Sequence, residues 1–395
     1  MPIDRLDFDN IQENDLSELV AAQVPEGLRI DYKKDLYGNS DADKREALKD
    51  VSAFANAFGG HLIIGVEEQN GLPTAFSGVA NVNPDEIVLR IDQLIRSGIE
   101  PRIQGLRVRA VPLANGAHCF VLRIPRSWHP PHRVSAQNSN RFWIRNSGGA
   151  HEASVEELRT LFTLGANAHH RVHQFRDERL SEINSGNSAR PLQGDGRLIL
   201  HIVPLAAVTS PFQVDLAMVY QTHLAFRPIG TMGMTPRFNF DGVVNERGGD
   251  QNFGYTQVFR NGALEATKAN IIVGRDWGRV ISGPKFERHI FEVLPGYLDG
   301  LRKAGVPPPL VVLFTLEGVK GVRYTALGGV FNMPGPAIER EILYLPECLI
   351  NEYGSEPDYH KAVKPAFDTL WNTAGHPFAQ SFSADGIWID NAQSR

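Results

Sequence analysis

Between residues 43 and 58, apolar side chains fall at Ala47, Leu48, Val51, Phe54, Ala55 and Phe58, the spacing of a helix with one apolar face. Gly59-Gly60 ends that helix, because glycine takes the left-handed conformation beyond a helix end without steric cost. The chain runs straight on into HLIIGVEE (residues 61–68), a short buried strand turned by Gln69-Asn70-Gly71. A helix joined to a buried strand across two glycines commits this region to helices packed on a sheet. Upstream, Leu28, Ile30 and Tyr32 alternate within residues 26–36 as in a half-buried strand, and Ser40 or Asp41 caps the helix that follows. Downstream, residues 83–97 read as a second helix, with Asn83 as cap and Pro84 at the first helical position. Strands are predicted at 106–113, 118–124 and 141–145, and a long polar helix at 152–182.

At about 150 residues per domain, the 395-residue chain has room for two domains. GNSARPLQGDG, rich in Gly, Ser and Pro, marks a linker at 186–196 between a first domain at 1–185 and a second at 197–395. The second opens on a LILHIVPL strand and continues with short strands and helices near 285–304 and 358–373. The expected class is α+β: an N-terminal domain with a mixed sheet and flanking helices, then a second α+β domain. Only Cys119 and Cys348 are present, which excludes a disulfide scaffold or a four-cysteine metal site and fits a reducing compartment. The acidic N-terminus lacks the basic start and apolar core of a signal peptide. The longest apolar run, residues 310–316, is far short of the roughly 20 residues needed to span a bilayer. A cytoplasmic protein with no membrane partner is expected.

The net charge of −5 conceals a segregation. Residues 101–150 hold eight arginines and no Asp, Glu or Lys, whereas residues 1–100 hold 9 basic and 19 acidic residues. Such a window suits a surface that meets polyanions, or arginines that pair with acids folded over from the first hundred residues. Within it, Arg126, Trp128, His129, His132 and Arg133 form a basic-aromatic loop. That loop could grip phosphates and stack unpaired bases, or Trp128 could simply anchor it. Arg123, Arg141 and Arg145, on the flanking strands, complete the candidate nucleic-acid-binding set.

Acids gather around the first two strands: Glu26 and Asp31 about one, Glu67 and Glu68 closing the other. Three carboxylates converging on one point cannot all stay ionised without a cation. Mg²⁺ or Mn²⁺ held by Glu26, Asp31 and Glu67, with Glu68 as the alternate third ligand, would orient and polarise a phosphodiester. Lys33, on the same strand, would neutralise charge building on a phosphoryl oxygen. The alternative is that these acids are solvated strand ends. Gly59, Gly60 and Gly65 do not form a phosphate loop, since the glycine pair closes a helix where such a loop would open one. Asn56 reads as structural support for the strand loop, and His169, His170 and His173 as a solvated helix face rather than a zinc site.

Glu26-(four residues)-Asp31-Tyr32-Lys33, followed by VSAFANAFGGHLIIGVEE at 51–68, resembles the Schlafen AlbA-2 domain. That family shows Glu-(four residues)-Glu-Phe-Lys, then Ala-Phe-Ala-Asn-Thr-x-Gly-Gly leading into a strand that ends Gly-Val-Asp-Asp. The resemblance is specific over residues 26–68 and looser to about residue 164; YTQVFRNG at 255–262 resembles a segment often joined to this domain in bacteria. It implies nucleic-acid binding and, for Schlafen nucleases, metal-dependent cleavage of transfer RNA by three carboxylates, here Glu26, Asp31 and Glu67 or Glu68. Asp stands for the second Glu and Glu for Asp, which moves ligand atoms by roughly 1 Å. The leading expectation is a metal-dependent endoribonuclease acting on tRNA or other structured RNA. The alternative is a non-catalytic DNA- or RNA-binding regulator, or an interaction module, using the same basic surface. Eukaryotic Schlafens pair two similar lobes around their substrate; with one copy of the motif here, a homodimer is expected.

Overall fold

The computed structural model describes residues 3, 8–127, 129–136, 139–209, 212–247, 252–276, 278–325 and 335–390. Two compact units divide the chain, Met1–His169 and His170–Arg395. The first contains α1 (Glu13–Ala21), β1 (Ile30–Lys33), α2 (Asp41–Asn56), β2 (Gly60–Ile64), β3 (Val66–Gln69), β4 (Leu72–Phe76) and α3 (Pro84–Gly98). It continues through β5 (Ile99–Glu100), β6 (Arg107–Pro112), β7 (His118–Ile124), β8 (Arg133–Val134), β9 (Arg141–Asn146), β10 (Gly149–Glu152) and the start of α4 (Val155–Asn184). The mixed sheet expected from the sequence runs β1-β2-β7-β6, with β1 parallel to β2 and the other pairs antiparallel. Parallel neighbours need a crossover, and α2 supplies it. A second sheet runs β10-β9-β8-β5.

Strand alternation divides the core. Ile63, Cys119 and Val121 meet Leu16, Leu19, Ile30 and Tyr32 on one face. Leu62, Ile64, Phe120 and Leu122 meet Leu48, Val51 and Phe54 of α2 and Ile91 and Ile95 of α3 on the other. The caps form as the sequence predicts: Ser40 Oγ accepts the Asp43 N–H at 3.1 Å, and Asn83 Oδ1 accepts the Asp85 N–H at 3.1 Å. Two details differ. α2 stops at Asn56, short of Phe58, and the Gly59 N–H, at φ 65°, returns to the Phe54 carbonyl at 2.9 Å. HLIIGVEE is not one strand either. Gly65 (φ 99°) approaches Gly78 too closely for a side chain, and the chain bends there. Beyond the bend β3 leaves the sheet and pairs with β4 in a separate hairpin.

The second unit is built on an eight-stranded sheet, in the order Thr235–Phe238, Gly242–Glu246, Tyr255–Phe259, Leu264–Ala269, Arg197–Pro204, Leu310–Glu317 and Ile342–Tyr344, with Cys348–Ile350 also pairing Leu310–Glu317. Helices Gly283–Phe291, Leu294–Lys303 and Glu356–Asn372 contribute to the core on one face. On the other, Leu180 and Ile183 of α4 pack with Ile199. The later turns of α4 therefore group with the second unit, and the division falls inside that helix; residues 186–196 contain no helix or strand. Both units mix helices and sheet, an α+β chain. Among the described residues no helix is long and apolar enough to cross a membrane.

Candidate nucleic-acid interface

β1 carries Asp31 into a buried position, 5% exposed, on the face opposite Ile30 and Tyr32. Asp31 Oδ2 lies 3.1 Å from Lys33 Nζ and 3.1 Å from Arg145 Nη1. Arg145 reaches it from β9. Its Nε donates to the Gly27 carbonyl at 2.6 Å and its Nη2 to that of Ile30 at 3.3 Å, while the guanidinium lies over the Phe54 ring, 4.4 Å from the centroid. Asp50, buried on α2, accepts the Tyr37 O–H at 2.7 Å and lies 3.7 Å from both Lys33 Nζ and Lys49 Nζ. Glu26, half-buried, accepts the Tyr32 N–H at 2.9 Å and hydrogen-bonds Asp31. Burial, and then that bond, push the Glu26 carboxyl up to about 7. Burial works to raise Asp31 too, but the bond from Glu26 and the charges of Lys33 and Arg145 outweigh it and hold Asp31 below its ordinary value. Of the two coupled carboxyls, Glu26 is the one that keeps a proton to the higher pH.

Beyond the bend at Gly65 the hairpin turn accepts the Glu26 N–H at the Gly71 carbonyl (2.7 Å), but Glu67 and Glu68 have other partners. Glu67 Oε1 pairs with Lys34 Nζ at 3.2 Å, and Glu68 Oε2 accepts the Gly71 N–H at 2.6 Å, closing the hairpin turn. Among the described residues, no three of Glu26, Asp31, Glu67 and Glu68 bring ligand atoms within 4.8 Å of one another. Asp31 already sits between two cations, Lys33 and Arg145. In this arrangement the donor set does not fit Mg²⁺ or Mn²⁺, which need several ionised or carbonyl oxygens around one point. Asp50, absent from the predicted set, is the acid that the fold adds. A signal for it was available: Asp50 stands three residues after Ala47 and four before Phe54, on the apolar stripe of α2.

Five of the eight arginines of residues 101–150 are engaged within the unit. Arg107 pairs with Asp9 at 2.6 Å, Arg133 with Glu100 at 2.6 Å and Arg141 with Glu152 at 3.0 Å, besides Arg145 with Asp31. Arg123 donates to the Ile3 carbonyl at 2.7 Å and to His61 Nε2 at 2.9 Å. Asp9, Asp31 and Glu100 are acids of the first hundred residues, so pairing across the fold absorbs much of the basic window. His132 is buried: its N–H donates to Asn56 Oδ1 at 2.6 Å, and its ring nitrogens meet the Pro101 carbonyl and Ser127 Oγ. Burial lowers its pKa. Asn56 Nδ2 also donates to the His132 and Trp143 carbonyls, at 2.9 and 2.8 Å, and so ties loop and strand to the end of α2. Trp128 lies outside the described residues.

Arg126 differs from these. No acid among the described residues pairs with it, and its charged neighbour is the exposed Arg29; burial first, and then that like charge, lower its pKa. The two arginines stand together because Gly59-Gly60 passes between their backbones. A side chain at Gly59 would collide with the Arg126 N–H, and one at Gly60 with the Arg29 carbonyl. Beside them Phe58 is 47% exposed, with the Arg126 guanidinium carbon 6.0 Å from its ring centroid. Sequence reasoning passed over Arg29, which lies outside the arginine-rich window, and assigned Phe58 to the apolar helix face.

Residues 26–154 match the family model for Schlafen, AlbA_2. No curated protein matches the chain. Among solved structures, a protein from Corynebacterium diphtheriae is 16% identical over 38% of this chain, with a TM-score of 0.25, and the match spans only 29% of that protein's length. The N-terminal domain of a RecG-related protein from Nitrosomonas europaea is 21% identical over 37% of this chain and 94% of its own, with a TM-score of 0.27.

Proposed function

We propose that the first unit, which carries a Schlafen AlbA_2 domain over residues 26–154, binds nucleic acid through its sugar–phosphate backbone, with structured RNA such as tRNA as the favoured ligand. The observation that carries this reading is the Arg29–Arg126 pair. Two guanidinium groups with no acid partner among the described residues repel each other, and a phosphate between them turns that cost into two charge-assisted hydrogen bonds. Fluorescence anisotropy with labelled tRNA at rising KCl tests it. Each phosphate contact adds roughly 0.7 to 0.9 to the slope of log affinity against log salt. Arg29→Ala/Arg126→Ala is therefore expected to flatten the slope by about 1.5 and to weaken binding about tenfold or more at low salt. Unchanged affinity and slope would overturn the reading.

Cleavage of the bound RNA is the narrower reading. Its support is the family resemblance, together with the Glu26–Asp31 pair and Lys33 on the same chain segment as Arg29. Incubating total tRNA with the protein in Mn²⁺ and in EDTA tests it. The carboxylates are already balanced by Lys33 and Arg145, so fragments are expected in both arms and are lost in Glu26→Gln. Fragments confined to the Mn²⁺ arm would show that the carboxylates rearrange around a metal, and intact tRNA in both arms would leave a non-catalytic binder.

A further inference from the structure

α2 ends at Asn56, and the reversal at Gly59 decides where Phe58 goes. Had the helix continued, Phe58 would stand one turn beyond Phe54 on the same buried stripe. Instead the flanking Ala57 and Gly59 are buried while Phe58 is turned outward, keeping about half its surface (47%) in water. A single exposed phenylalanine is ordinary on a protein surface. Its surroundings here are not. The Arg126 guanidinium stands at the outer limit of cation–π reach, 6.0 Å from the ring centroid, and Arg29 adds a second positive charge next to Arg126. Neither arginine has an acid partner among the described residues. An apolar ring face with one uncompensated guanidinium beside it and a second next to the first matches one chemistry above others: a planar base on the ring and its phosphate on the arginines.

We propose that Phe58 is a stacking platform for one unpaired base, so that the segment bound at this point is single-stranded, a loop or an end, rather than the side of a duplex. This rests on the reading of the first unit as a nucleic-acid binder and specifies what it binds. In a duplex the base faces are covered by their neighbours and cannot reach the ring, whereas a splayed base offers its whole face to an aromatic side chain. Stacking uses a surface that every base has, so the contact is expected to tolerate sequence and to serve ribose and deoxyribose strands alike. Phosphate recognition by Arg29 and Arg126 alone would not distinguish single strands from duplex.

The test uses the full chain and three ligands: a twelve-nucleotide oligo-U RNA, a twelve-nucleotide oligo-dT DNA and a self-complementary RNA duplex. Phe58→Ala, at an exposed position, is expected to melt like the parent and to bind both single strands about tenfold more weakly, while duplex affinity stays unchanged. Phe58→Trp is expected to retain single-strand binding and to add a fluorescence quench, beyond any from the parent's own tryptophans, that saturates with either oligonucleotide. Full single-strand affinity in Phe58→Ala, with a silent Phe58→Trp, would overturn the platform while leaving backbone binding by the arginines intact. An equal loss toward the duplex would overturn it as well. Failure of the parent chain to bind any of the three would remove the underlying reading instead.

Discussion

Replacing Arg145 by alanine is expected to destabilise the first unit by on the order of 3 kcal/mol, the low end of what breaking a buried ion pair costs. Arg145 and Asp31 are each 5% exposed, so the change leaves a carboxylate buried with Lys33 as its remaining cation at ion-pair distance. The Gly27 carbonyl loses the Arg145 Nε–H, the Ile30 carbonyl keeps the Gly27 N–H but loses the Arg145 Nη2–H, and Phe54 loses the guanidinium stacked on its ring. Folded domains are stable by only about 5–15 kcal/mol, so an effect of this size should be plain in urea unfolding. Hydrogen exchange localises it: protection over residues 30–33 and 41–56 should fall, while the strand at 310–317 in the second unit keeps its protection. Asp31→Asn/Arg145→Met should cost less than the two single changes added together, because each single change strands the other partner. The opposite outcome is equally legible. An Arg145→Ala protein of unchanged stability whose RNA binding loses about one contact from its salt slope would make Arg145 a phosphate ligand, the role its place in the arginine-rich window suggests.

Local chemistry carried most of what could be read ahead of the structure. Ser40 and Asn83 mark helix starts through hydrogen bonds that span two or three residues, Pro84 through its fixed backbone angle, and Gly59-Gly60 marks a helix end through backbone freedom at one position. Each is local and visible in the chain. The site depends on contacts that are not. Arg145 lies 114 residues from Asp31, and only the packing of β9 against α2 brings them together. The arginine-rich window is striking in one dimension only because its partners Asp9, Asp31 and Glu100 lie elsewhere in the chain. The bend at Gly65 shows the complementary limit. A glycine inside an apolar run is compatible with a straight strand or a break, and the approach of Gly78 decides between them. After that single break Glu67 and Glu68 take Lys34 and the Gly71 N–H as partners instead of joining Asp31 in one ligand set, although all belong to one motif in the sequence. Asp50, by contrast, could have been found: an acid on the buried stripe of an amphipathic helix requires a cation or hydroxyl across from it, and Lys33 and Tyr37 are there.

Glu265 offers the second large effect, in the second unit and through pH. Its carboxylate is fully buried on the strand Leu264–Ala269 and is held from three sides. Arg179 donates from Nε at 2.9 Å and Nη2 at 3.1 Å, Tyr255 donates its O–H at 2.7 Å, and His201 Nε2 lies at 3.1 Å. Burial alone would raise the carboxyl, but His201 and Arg179 outweigh it and bring it down to about 2. A carboxyl whose folded pKa is depressed stabilises the protein above its unfolded value, near 4.5, and that contribution drains away as the pH falls toward 2. At neutral pH it amounts to roughly 3 kcal/mol. Glu265→Gln discards it and strands the Arg179 guanidinium, so the variant should lose on the order of 3–5 kcal/mol at pH 7, with exchange protection falling first over residues 198–204 and 264–269. The pH dependence separates charge from packing. If the ionised carboxylate is what matters, the gap between parent and variant should narrow by about 1 kcal/mol on going from pH 7 to pH 3.5, because only the parent has a charge to lose. A gap that stays constant over that range would mean that Glu265 contributes its shape and hydrogen bonds, and that its charge contributes nothing.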